Sequence, residues 1–167
     1  ELANIKVDIE LASEYRYKKI FYEKNELTIL ISQSGETADT IEALNKAKNN
    51  KCDTLGIINV PASKIARESK KTIYVKAGNE IAVATTKAYV AQVFILSLLT
   101  ILLSYQRKII TKEEANKYLL SLKNFDKLVK KTIDNCEQYH LEYIMEDANK
   151  LYKVNTDETV NKFVISK

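Results

Sequence analysis

Hydrophobic alternation opens the chain: Ile5, Val7 and Ile9 alternate with Lys6 and Asp8, the period-two pattern of a half-buried strand. Residues 12–22 mix polar and aromatic side chains, among them Tyr15, Tyr17, Phe21 and Tyr22, and fit a loop or short helix. Leu27-Thr28-Ile29-Leu30-Ile31 is a short run rich in branched residues, which predicts a strand buried on both faces, as in a parallel sheet. After the polar stretch Ser32 to Glu36, the spacing of Ala38, Ile41, Ala43, Leu44 and Ala47 predicts a helix over 37–50. Thr54-Leu55-Gly56-Ile57-Ile58 predicts another buried strand. Residues 63–69 suit one or two helical turns with Ser63 as a possible N-cap, and 72–75 a fourth strand. Strands alternating with helices over short links imply βαβ units and a parallel sheet.

The character changes after Thr85. Residues 88–105 carry no charge over 18 positions, enough for a buried helix or for a segment near the lower length bound of a membrane span. Gln92, Ser97, Thr100 and Ser104 are spread through the run and no aromatic belt marks both ends, which favours a helix covered on most sides by partner helices, including helices of another subunit. Thr111 and Glu114 form a capping-box pattern at a helix start. Leu119, Leu122, Phe125, Leu128 and Val129 continue an amphipathic face, and a second helical stretch is expected from about Asn135 to Lys153. Phe163-Val164-Ile165-Ser166 has the look of the first strand of a further domain.

Composition narrows the function classes. With 46% hydrophobic and 29% charged residues, the 167-residue chain can bury a core and is not of the disordered type. The formal charge of +4 is spread evenly, and 3 of the 26 basic residues are Arg, which argues against a nucleic-acid surface. Cys52, Cys136 and His140 have no zinc-ligand spacing, which excludes a structural zinc site; no cofactor is expected. Two distant thiols fit a reduced, cytoplasmic compartment. No signal peptide opens the chain, and no initiator Met stands at residue 1, as in a fragment or processed product.

The stretch that carries chemistry is Ser32-Gln33-Ser34-Gly35-Glu36-Thr37, between a predicted strand and a helix start. Ligands of such sheets bind at the carboxyl ends of the strands. A helix N-terminus there offers unpaired N–H groups and the positive end of the dipole, which favour a phosphate. Ser32, Ser34 and Thr37 add hydroxyl donors and Gln33 an amide, while Gly35 lets the backbone approach an anion. Against this stands a plain capping role for the hydroxyls. A second segment, Ala77 to Ala88, follows the last predicted strand, with Thr85 and Thr86 before the apolar helix. Glu80 suits a substrate-orienting carboxylate or base, or a loop carboxylate bonded to backbone N–H. Lys87, His140 and Cys52 fit ordinary surface or structural roles.

These segments, with Ala12-Ser13-Glu14-Tyr15-Arg16-Tyr17, Asn59-Val60, Ile65-Ala66-Arg67-Glu68 and Val83-Ala84-Thr85-Thr86-Lys87-Ala88, resemble the first sugar isomerase (SIS) domain of the glucosamine-6-phosphate synthase family. The resemblance is specific over about residues 5–105. It implies an α/β fold: a SIS-type, flavodoxin-like parallel sheet flanked by helices, incomplete, with a helical C-terminal extension. The domains would be a partial phosphosugar-binding domain over 1–105, a helical linker over 106–160, and the start of a second SIS domain over 161–167. Ser32, Gln33, Ser34 and Thr37 would hold the phosphate of fructose 6-phosphate or glucosamine 6-phosphate. Val83, through its backbone, and Thr85 would contact the sugar. The protein would be a cytoplasmic homodimer acting on a phosphosugar, with no membrane or nucleic-acid partner. No catalytic residue is expected in this chain, and alone it would be inactive.

In that family a first strand and a Cys-Gly-Thr-Ser loop would precede residue 1. Without them, strands 5–9 and 27–31 would flank a gap in a sheet of order 2-1-3-4-5, to be filled or removed by rearrangement, insertion of residues 163–166 being one route. Two other readings compete: a non-catalytic SIS module that senses phosphosugars, and a protein anchored in a membrane through residues 88–105.

Overall fold

The structure is a computed structural model that describes residues 2–19, 26–78, 87–132 and 134–135. By contacts the chain divides into two units, 1–119 and 120–167. The first holds a short helix α1 (Ala12–Tyr15) and then β1 (Leu27–Ser32), α2 (Ala38–Asn49), β2 (Asp53–Ile58), α3 (Lys64–Glu68), β3 (Lys71–Tyr74) and the long helix α4 (Lys87–Gln106). Helix α5 (Lys112–Lys123) follows, and in the second unit residues 125–132 are helical.

The three strands form a parallel sheet of order β1-β2-β3, with Leu27 opposite Asp53 and Leu55 opposite Lys71. Helices α2 and α3 pack on β2, and α2 also on β1, because the apolar stripe of α2 closes on the strands: Leu30, Ala43, Leu44, Ile58, Ile65 and Ala66 make one core. Leu44, Ile58 and Ile65 are fully buried. At the far end of α2, Lys51 takes a left-handed φ of 59° while Cys52 N–H donates to Ala47 O at 3.0 Å. That closes the helix and sends the chain into β2.

Two expectations are corrected. Residues 5–9 form no strand, and Val7 and Ile9 are 70% and 91% exposed. Alternation supplies a face, but a strand also needs a partner for its backbone groups. Among the described residues β1 pairs with β2 alone and forms the edge of the sheet. Residues 163–166 lie outside the described residues. Nor is β1 buried on both faces: α2 covers Leu30 and Ser32, while Leu27, Ile29 and Ile31 on the other face are 50%, 39% and 43% exposed.

Helix α4 matches the apolar run, yet 22% of its apolar window is buried. The expected cover of partner helices is therefore not supplied by the described residues. Its hydroxyls are satisfied inside the helix: Ser97, Thr100 and Ser104 each donate to the carbonyl four residues back. By length and composition α4 is long enough to cross a membrane. At α5 the capping box forms as expected. Thr111 N–H donates to Glu114 Oε2 at 2.8 Å, and Glu114 N–H to Thr111 Oγ1 at 3.2 Å. The helix expected over 135–153 lies almost wholly outside the described residues.

Candidate functional site

Parallel strands bring their carboxyl ends to one edge, and the turn from Ser32 to Thr37 stands there. Ser32 ends β1 buried, and Thr37 holds the N-cap position of α2. Gly35 N–H donates to Ser32 Oγ at 3.0 Å, and Glu36 N–H to Ser34 Oγ at 3.2 Å. Both serine oxygens lie 3.4 Å from Thr37 Oγ1, so three hydroxyls converge on one patch. A hydroxyl that accepts from a backbone N–H keeps its own proton to give. Thr37 makes no side-chain bond to the first turn of α2, so that turn's amides are not spent on a capping hydroxyl. Hydroxyl donors beside a helix N-terminus form a place for an oxyanion.

The turn is held from behind by the connection after β2. Gln33 O accepts from the N–H groups of Asn59 and Val60 at 3.3 and 3.2 Å, and Gly35 O from Ile65 N–H at 3.1 Å. The Glu36 carboxylate takes Lys64 N–H at 2.6 Å. Glu36 thus caps α3, and Ser63, expected as its cap, does not: it occupies the N-cap position, but its buried Oγ has no partner. The fold itself requires Gly35. Its φ is +67°, and a Cβ there would stand 2.0 Å from Ser63 Oγ and 2.8 Å from Ile58 Cγ2.

Arg16 was legible only as part of a phrase. Its Nη1 lies 2.6 Å from Asp39 Oδ1 in the first turn of α2, and its guanidinium stands 4.9 Å over the Tyr17 ring. The hydrogen bond to Asp39, with the neighbouring tyrosine, raises the pKa of Arg16 further. The pair cancels a negative charge next to the hydroxyl patch. Asn59, 7% exposed at the end of β2, bonds through its side chain to Ala77 and Gly78 beyond β3. In the sequence Asn59 stood out as a polar residue closing an apolar strand and as part of the phrase Asn59-Val60. Cys52 is half-buried, and burial pushes its thiol pKa up, with Glu26 and Asp53 adding to the shift, in keeping with an inert thiol. Val83, Thr85, Thr86, Glu80 and His140 lie outside the described residues.

The structure brings Ser32, Gln33, Ser34 and Thr37 into one turn, and comparisons with known proteins follow the same stretch. The family model for the SIS domain matches residues 1–102. The glutamine–fructose-6-phosphate aminotransferase (isomerizing) of Chlamydia trachomatis is 41% identical over 135 residues, 80% of this chain and 22% of that protein. The enzyme of the same name from Symbiobacterium thermophilum is 45% identical over 123 residues, 74% of this chain and 20% of that protein. The chain therefore spans about a fifth of the length of these relatives. Among solved structures, the C-terminal domain of glucosamine-fructose-6-phosphate aminotransferase from Francisella tularensis superposes with a TM-score of 0.79 at 37% identity. That superposition covers 83% of this chain and 39% of the other. The family match runs through all three strands and the turn at their edge, and the chain belongs to the SIS domain family.

Proposed function

We propose that this chain is the phosphosugar-binding part of the isomerase half of a glutamine–fructose-6-phosphate aminotransferase. In that enzyme, fructose 6-phosphate and glutamine would become glucosamine 6-phosphate and glutamate. The observation that carries the reading is the convergence of the Ser32, Ser34 and Thr37 hydroxyls beside the N-terminus of α2. Gln33 completes the phosphate-binding set, and Val83 and Thr85 contact the sugar. On this reading residues 1–105 are a partial phosphosugar domain, 106–160 a helical linker and 161–167 the start of a second SIS domain.

The role is binding rather than catalysis. The two carboxylates at the turn are both engaged, Glu36 by Lys64 N–H and Asp39 by Arg16, so neither is presented as an acid or base. The protein is a cytoplasmic homodimer without membrane or nucleic-acid partners. That the SIS match takes in α4 as far as residue 102 supports a domain helix rather than a membrane span.

The test is a titration of the chain with fructose 6-phosphate, followed by amide NMR. Shifts should centre on residues 32–37 and saturate. Ser34→Ala and Thr37→Ala should each weaken binding about tenfold, the loss of a hydrogen bond to a charged group. Saturating shifts that map elsewhere, or none, reject the reading. With fructose 6-phosphate and ammonia, the chain alone should form no glucosamine 6-phosphate above a blank.

A further inference from the structure

We infer that Arg16 is a positioning residue for the phosphate site: by pairing with Asp39 it keeps the first turn of α2 open to a dianionic phosphate. This deepens the phosphosugar reading above and rests on it. Thr37 holds the N-cap position of α2, and Ile41 N–H donates to Thr37 O at 2.9 Å as the helix begins. The amides of Ala38, Asp39 and Thr40 therefore have no carbonyl of their own helix to bond, and they follow directly on the hydroxyl patch. The dipole gives this end of the helix about half a positive charge. Asp39 puts a full negative charge into the same turn. Left unpaired, it would outweigh the dipole and repel a phosphate. Arg16 Nη1, 2.6 Å from Asp39 Oδ1, offsets that charge.

Arg16 is brought to Asp39 by an element too short to stand alone. Helix α1 has four residues, fewer than an isolated helix needs. Ala12 and Tyr15 pack it against the core that α2 closes. Its carboxyl end is held by Lys46, two turns beyond Asp39 on the same face of α2. Lys46 Nζ donates to Tyr15 O at 2.8 Å and to Lys18 O, and lies 5.2 Å from the centroid of the Tyr15 ring. Lys46 thus fixes the main chain on either side of Arg16, while Arg16 gives its own charge to Asp39. Glu42, one turn on from Asp39, attracts Arg16 more weakly than Asp39 does. The other carboxylate of the turn, Glu36, is occupied by Lys64 N–H.

The test measures affinities of the 167-residue chain for fructose 6-phosphate and inorganic phosphate at about pH 8, where both are mostly dianions. Arg16→Met should weaken both about fivefold at low salt, because the charge acts on the phosphate and not on the sugar. The loss should shrink at about 1 M salt. Asp39→Asn alone should bind both probes at least as tightly as wild type. Arg16→Met combined with Asp39→Asn should return to within about twofold of wild type, although the bond between α1 and α2 is still missing. Circular dichroism confirms the fold. Should Arg16→Met fail to fold, Arg16→Gln, a neutral donor to Asp39, takes its place and the same pattern is expected. A folded Arg16 variant that loses no affinity overturns the role. So does a loss that Asp39→Asn fails to recover, which would mean that the pair merely holds α1, and so does a loss confined to fructose 6-phosphate. A wild-type chain that binds inorganic phosphate but not fructose 6-phosphate overturns the phosphosugar reading, and the phosphate measurements then decide on Arg16. One that binds neither overturns both.

Discussion

At the scale of single residues, Gly35 carries the sharpest expectation. A methyl group there meets Ser63 Oγ at 2.0 Å on a backbone with φ +67°. Left-handed backbone at a residue with a Cβ costs about 1–2 kcal/mol, and overpacking typically adds about 1–3. Gly35→Ala should therefore lose about 2–5 kcal/mol in urea unfolding. Ser63→Gly in the same chain should return the share of the overpacking due to Ser63, and leave the contact with Ile58 Cγ2 and the backbone part. An additive pair would show that the two residues do not touch. The need for glycine was legible in the sequence, but its cause was not: the contact with Ser63 joins residues far apart in the chain. Likewise the serine pattern at residue 63 indicated a cap, while Glu36 takes that place from across the sheet edge. Local spacing shows which residues are able to cap, and tertiary structure decides which one does.

At the scale of elements, the helices and strands that have partners followed their patterns. Helix α2, strands β1, β2 and β3, and the capped start of α5 all fall within a residue or two of the periodicity. Residues 5–9 have as clean an alternation as any and form no strand, because the pattern records a face and not the neighbour that must pair with it. Helices α2 and α3 are tied at the surface by Lys48 Nζ and Glu68 Oε2, 3.0 Å apart. The hydrogen bond from Lys48 holds the Glu68 carboxyl below its ordinary range. A depressed carboxyl contributes its stability in full above the unfolded value of about 4.3, and loses it as pH falls through the folded one. The contribution is small at an exposed site. Lys48→Met should therefore destabilise slightly at neutral pH, and the gap from wild type should close under acid. Urea unfolding at about pH 7 and about pH 3 reads this, and a gap that widens in acid would contradict the pairing.

At the scale of the whole molecule, burial is unevenly supplied. Tyr89, Val90, Val93, Leu102 and Leu103 on α4 are 40–62% exposed, and the outer face of β1 is comparably open. Contiguous apolar surface of this kind attracts apolar dyes. The chain should enhance the fluorescence of such a dye well before any unfolding, while staying in the aqueous phase when floated with neutral vesicles. Co-flotation would favour the membrane reading of α4. That residues 88–105 are helical and apolar was legible, whereas what covers them was not, since periodicity within one helix carries no information about its neighbours. The order of the sheet has a further consequence. Among the described residues each strand pairs with the next one along the chain, Leu27 with Asp53 and Leu55 with Lys71. Contact order within this βαβαβ run is correspondingly modest, and domains form from the amino-terminal side as synthesis proceeds. The hydroxyl turn lies between β1 and β2, so the strands and the connection that hold it are outside the ribosome once β3 clears it, before α4 has emerged.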